Sequence, residues 1–199
     1  GQRWATAETS FKCLVSCRYT HPAADALLAV MQAHGLQVSD IADVETRVHQ
    51  GAVDVLGPVV NPSTVHQSKF SMGTVLALVA QFGYAGLSEF DGHFQTEVTT
   101  SFCAKVRMVV DGEVDTAYPK RWIGKVVVRT NDGRLLDGRV DEPKGDPGNT
   151  LSRDEITAKA LRLAHYSGGV DAQTMTALID RLWGVAEWNV VPHLLPQAR

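Results

Sequence analysis

Lys125-Val126-Val127-Val128-Arg129-Thr130-Asn131-Asp132-Gly133-Arg134-Leu135-Leu136-Asp137-Gly138-Arg139-Val140 decides the fold class. Val126 and Val128 are β-branched and fall on one face of an extended chain, and 134–140 reads as the returning strand. Between them, Asn131-Asp132-Gly133 tolerates positive φ, which is the chemistry of a hairpin turn. Upstream, 104–110 is strand-like. Val44-Glu45-Thr46-Arg47-Val48 alternates apolar and polar at the period of a half-buried strand. The middle of the chain is therefore a sheet.

Helical signals flank it. Over 20–35, Pro22 suits a first helical turn, Leu27, Leu28 and Met31 recur at helical spacing, and Gly35 closes the segment. Over 71–82, Val75, Leu76, Leu78, Val79 and Phe82 cover most of a helix circumference, which predicts deep burial; Gly83 and Gly86 then break it. A short helix is expected over 94–102. Residues 50–65 carry Gly51, Gly57, Pro58, Asn61 and Pro62 and read as a loop. After the turn-rich run 142–149, Ser152-Arg153-Asp154-Glu155 is a capping box, in which Ser152 and Glu155 satisfy each other's orphan N–H groups. Gly168-Gly169 ends that helix, and Asp171 caps a last one carrying Met175, Leu178, Ile179 and Leu182. The order of elements predicts an α+β fold, a small sheet with packed helices plus a helical C-terminal segment.

At 199 residues, with 44% hydrophobic and 21% charged, the chain can bury a core without disulfide staples. A net charge of −3 excludes broad phosphate-backbone binding, so no nucleic-acid partner is expected. No apolar run is long enough for a membrane span; the best, 72–80, is interrupted by Gly73 and Thr74. Gly1-Gln2-Arg3-Trp4-Ala5 lacks the pattern of a signal peptide, and three cysteines, an odd number, point to a reducing cytoplasm.

Cys13-x3-Cys17-x3-His21 contains zinc-ligand residue types but not a usual zinc spacing, and no second pair completes four ligands, so no metal is expected. The seven histidines, His193 included, form no i, i+4 pair with an adjacent glutamate. Phosphate-loop, dinucleotide-binding and Gly-x-Ser-x-Gly motifs are absent. One grouping remains. His21 opens a helix with Lys12, Cys17 and Arg18 close in sequence, a collection of cations and free N–H groups suited to a carboxylate.

Phe11-Lys12-Cys13-Leu14-Val15-Ser16-Cys17-Arg18-Tyr19-Thr20-His21-Pro22-Ala23-Ala24-Asp25-Ala26 resembles the segment that opens the second domain of the MmgE/PrpD family. Lys69-Phe70-Ser71-Met72 is similar to that family's Lys/Arg-Phe-Ser helix start. The most specific match is Asp132-Gly133-Arg134 followed by Asp141-Glu142-Pro143-Lys144-Gly145-Asp146-Pro147-x-Asn149-x-Leu151-Ser152. The resemblance covers nearly the whole chain in order. It implies the second-domain fold of that family, divided into an opening segment 1–21 with the active-site motif, an α+β domain 22–150 and a helical segment 151–199.

The resemblance also implies cofactor-independent chemistry on a di- or tricarboxylate: 2-methylcitrate dehydration, cis-aconitate decarboxylation or iminodisuccinate epimerisation. All three move a proton at carbon beside a carboxylate, which needs cations and a base near neutral pKa. It makes Lys12 the functional lysine, either acid–base or carboxylate clamp, with Cys17 and His21 lining the same pocket as catalytic candidates. Arg18, Lys69 and Ser71 are the substrate-binding candidates. Two departures stand out: Leu14-Val15 replaces the family's proline after the lysine, and Cys17 stands where the decarboxylase branch carries histidine. Full family members also carry a helical domain before this one. The expected partners are therefore a homodimer mate or that helical half, and a non-catalytic dimerisation module is the competing expectation.

Overall fold

The computed structural model describes residues 2–190; Gly1 and residues 191–199, His193 among them, lie outside the described residues. The chain divides into two units, Gly1–Thr150 and Leu151–Arg199.

The first unit is α+β. Strands β1 (Ile41–Val48), β2 (Val106–Val110), β3 (Gly124–Thr130) and β4 (Leu135–Val140) form a sheet in the order β2-β1-β3-β4. The β1–β2 pair is parallel and the other two pairs are antiparallel. The hairpin turn falls at Asn131-Asp132-Gly133, where Gly133 takes a φ of 88°. Alternation decides the faces. Val44, Thr46 and Val48 of β1 and Val126, Val128 and Thr130 of β3 are buried. Glu45, Arg47, Asp43, Arg107 and Arg129 lie on the other side and pair with one another.

Helices cover the buried face. α1 (His21–His34) lies across β3 and β4, with Ala23, Ala24, Ala26, Leu27, Val30 and Met31 buried. It sits so close to the start of β3 that a Cβ on Gly124 would fall 2.1 Å from the Pro22 carbonyl oxygen, so only glycine fits there. α2 (Gln50–Leu56) and α3 (Val65–Ser68) precede α4 (Met72–Phe82), whose residues Val75, Leu76, Ala77, Leu78 and Val79 are all buried against α1 and the sheet. α5 (Leu87–His93), α6 (Glu97–Cys103) and α7 (Gly112–Ala117) complete the unit.

Three expectations change. The stretch 50–65 is not all loop: Ala52 and Leu56, buried one turn apart, anchor α2, and the His49 ring caps it by accepting the Ala52 N–H at 3.2 Å. The helix expected over 94–102 is α6, which starts at Glu97 behind the Thr96 cap and is pinned by buried Phe102, while α5 just before it, pinned by buried Phe90, is an additional helix. Phe82, at the last position of α4, is 44% exposed and rests against the His93 ring rather than in the core.

Burial pushes the His49 imidazole below its ordinary pKa, with Asp115 opposing in part. The folded state then holds fewer protons than the unfolded chain below about pH 6.5, so His49 makes stability fall as pH drops through that value. Unfolding free energies measured between about pH 5 and 7 should show that slope, and His49→Gln should flatten it.

The second unit holds α8 (Arg153–Ser167) and α9 (Ala172–Trp183), packed on each other with the Arg153 guanidinium 4.8 Å from the Trp183 ring centroid. The Ser152–Glu155 capping box starts α8, and Asp171 caps α9 by accepting from the Thr174 N–H at 2.8 Å. Among the described residues no helix is long and apolar enough to cross a membrane.

Candidate functional site

Residues 11–20 run over the first unit as a bent strap without helix or strand until a single 3-10 turn, Arg18–Thr20, before α1. Backbone bonds fix it at intervals. Val15 N–H donates to Ala85 O at 3.0 Å and Cys17 N–H to Lys69 O at 2.8 Å, while the Leu14 side chain is buried beneath. Hydroxyls close the turn: Ser16 and Thr20 bond at 2.9 Å, and Thr20 donates to the Cys17 carbonyl at 2.8 Å.

Lys12 is exposed on this strap and donates from Nζ to the Ser16 carbonyl at 3.1 Å. Its two neighbours are held from the far end of the domain. Phe11 N–H donates to Gly145 O at 2.8 Å, and Cys13 Sγ donates to Lys144 O at 3.3 Å. The Tyr84 hydroxyl holds the Cys13 carbonyl at 3.0 Å. Lys12 is thus bracketed on both sides by bonds to loop 142–149.

That loop is itself rigid. Gly145 N–H donates to Asn149 O at 2.8 Å, Asn149 N–H to Asp146 O at 2.8 Å, and the Asn149 side-chain amide to Glu142 O at 3.0 Å. Asp25 on α1 accepts the Lys144 N–H at 2.6 Å; burial raises its carboxyl pKa, and that bond together with Arg18 and Lys144 opposes the rise. The Arg18 guanidinium and the Asp146 carboxylate form an ion pair whose side chains are only 14% and 7% exposed. Arg18 also reaches His21 Nδ1 at 3.2 Å. His21 is 1% exposed at the start of α1.

The sequence candidates therefore occupy different positions. Lys12, Cys17, Arg18 and His21 share the strap and its turn, with Lys12 on the surface, Cys17 half-buried, and Arg18 and His21 turned inward to each other and to Asp146. Lys69 joins them through its backbone bond to Cys17, and its ammonium lies 5.8 Å from the Phe90 ring centroid. The Ser71 hydroxyl is buried and caps α4, accepting from the Thr74 N–H at 3.3 Å. Cys13, Cys17 and His21 do not gather as ligands; among the described residues no three His, Cys, Asp or Glu side chains group to hold a metal ion.

A family model described as MmgE/PrpD C-terminal domain matches residues 15–184. The chain belongs to the MmgE/PrpD family. No curated protein matches it. Cys17, Arg18, His21, Lys69 and Ser71 fall inside the matched span, and Lys12 lies just before it. In this MmgE/PrpD domain the block 141–152, where the sequence resemblance is most specific, contains the loop 142–149 that grips the strap.

Asp146, Asp25 and Tyr84 were not singled out from the sequence, since each acts on residues far away in the chain. Gly145 shows how tight the grip is. Its φ is 94°, and a Cβ there would lie 1.9 Å from the Phe11 carbonyl oxygen. Gly145→Ala is expected to cost about 2–3 kcal/mol, from left-handed strain plus displacement of the strap. Urea unfolding of the variant checks it, and an unchanged midpoint would show that the strap yields freely.

Proposed function

We propose that this domain forms one wall of the active site of a cofactor-independent hydro-lyase that removes water from a tricarboxylate of the 2-methylcitrate type. Family membership supports the reaction class, and the bracketing of exposed Lys12 by loop 142–149 is the observation that carries the assignment of its role.

The chemistry requires proton removal from carbon beside a carboxylate, followed by departure of a hydroxyl group as water. Charge builds on the carboxylate as the C–H bond breaks, so cations fixed in advance lower the barrier. Lys12, as the neutral amine, takes the proton from carbon. The ammonium so formed gives it to the departing hydroxyl, which leaves as water while the C–H electron pair becomes the double bond. The immobilised main chain returns the nitrogen to one place on each turnover. Cys17 on the strap and Lys69 beside it, joined by their backbone bond, complete the substrate wall. Arg18 and His21 act from behind it: paired with Asp146 and with each other, they hold the turn rather than meet the substrate. The helical half of the site comes from the domain that family members carry alongside this one, on the same or another chain, and the assembly works as a homodimer in the cytoplasm.

The test is turnover in deuterated water by the assembled enzyme. Loss of the hydroxyl with formation of an alkene supports the dehydratase. Exchange with inversion at the same carbon would instead make it an epimerase, release of carbon dioxide a decarboxylase, and no exchange at all a non-catalytic module.

A further inference from the structure

We propose that Tyr84 is a positioning residue for proton transfer at Lys12, acting through the hydrogen bond from its hydroxyl to the strap. Resting on the reading of Lys12 as the proton-transfer group, this role lies one step behind the chemistry. The Lys12 side chain folds back along its own strap, where Nζ donates to the Ser16 carbonyl at 3.1 Å. The place of the nitrogen therefore depends on the path of the main chain between residues 12 and 16. A long, freely rotating side chain on a loose main chain would scatter the amine over many positions.

Two consecutive residues set that path. The Tyr84 hydroxyl donates to the Cys13 carbonyl at 3.0 Å, and Val15 N–H donates to the Ala85 carbonyl at 3.0 Å. Residues 84 and 85 thus hold alternate strap residues, 13 and 15, inside the span that Lys12 bridges. The first of these bonds comes from a side chain, so a substitution can remove it alone; the second joins main chain to main chain.

The hydroxyl is itself aimed. Tyr84 stands between α4, capped by Gly83 at a φ of 67°, and α5, which Gly86 precedes. Its ring lies over the Gly86 backbone. A Cβ on Gly86 would fall 2.4 Å from Tyr84 Cε1 and 2.8 Å from Glu89 Oε2, the oxygen that accepts the Gly86 N–H at 2.8 Å. The Gly86 φ of −103° is open to any residue, so glycine is needed there to make room for the ring and the carboxylate. Two substitutions therefore reach the same bond by different routes. Tyr84→Phe removes the hydroxyl and keeps the ring, while Gly86→Ala keeps the hydroxyl and displaces the ring.

Turnover of a 2-methylcitrate-type tricarboxylate by the assembled enzyme tests it, comparing wild type, Tyr84→Phe, Lys12→Ala and the double variant. Tyr84→Phe should lower kcat by about 10-fold and leave KM within about 2-fold, an effect between one lost hydrogen bond and a fully displaced reacting group. In the Lys12→Ala background the same substitution should change the residual rate by less than about 2-fold, because nothing is left to position. Gly86→Ala should lower kcat as Tyr84→Phe does, and it carries the comparison if Tyr84→Phe fails to fold. Wild-type kcat in Tyr84→Phe beside a slow Lys12→Ala would overturn the positioning role and leave Lys12 in place. Equal losses from Tyr84→Phe in both backgrounds would do the same. Wild-type turnover by Lys12→Ala would instead overturn the reading of Lys12 itself, and the role of Tyr84 with it.

Discussion

Asp146→Ala is expected to destabilise the first unit by about 3–5 kcal/mol, one of the largest single-residue costs in the domain. The reason is the charge left behind. Arg18 keeps its guanidinium under the strap at 14% side-chain exposure, and its carboxylate partner is gone. Desolvation of that cation is then opposed by weaker partners: its contact with His21 Nδ1, its position 5.6 Å from the Trp122 ring centroid and the more distant charge of Asp25. Equilibrium urea unfolding gives the number. The double replacement Arg18→Met with Asp146→Leu should recover much of the loss, because removing both charges also removes the penalty of burying them. If Asp146→Ala lowers the unfolding free energy by less than about 1 kcal/mol, the value of an exposed pair, the grip of loop 142–149 on the strap is superficial.

The second large effect concerns chemistry. Lys12→Ala leaves the clamp intact, since Phe11 and Cys13 hold loop 142–149 through backbone and thiol atoms that the substitution does not touch. Stability should hardly change for this exposed side chain. Proton transfer should fall by about 100-fold or more, the contribution of a positioned acid–base group. The split between unchanged unfolding and lost turnover separates a chemical lysine from a structural one. Lys12→Arg sharpens it: arginine keeps the positive charge but gives up no proton near neutral pH, so it restores substrate binding without restoring exchange.

How much of this was readable beforehand depends on the range of each interaction. The hairpin around Asn131-Asp132-Gly133, the α1 and α4 helices and the Ser152 capping box are local, and their residue patterns announce them. α2 was missed because its cap is a histidine ring and its first turn holds Gly51, both unusual starts, while the burial of Ala52 and Leu56 that anchors it is a tertiary fact. The parallel pairing of β1 with β2 was equally out of reach, for it joins segments about sixty residues apart through several helices. The site divides the same way. Lys12, Cys17, Arg18 and His21 cluster in sequence and on one strap. Asp25 and Asp146, which hold that strap's loop and turn, are separated from their partners by more than a hundred residues, and no spacing rule links them. The aromatic rings around His49 come from residues 19, 118 and 122 and leave no periodic trace.

The most direct test of the central claim, that loop 142–149 holds Lys12 as the proton-transfer group, is hydrogen–deuterium exchange at the carbon beside the substrate carboxylate. It is measured in deuterated water on the assembled enzyme, wild type against Lys12→Ala, at saturating substrate. The account predicts exchange slowed by about 100-fold or more in a variant that unfolds at the same urea concentration. Exchange at the wild-type rate in a correctly folded Lys12→Ala enzyme would contradict it.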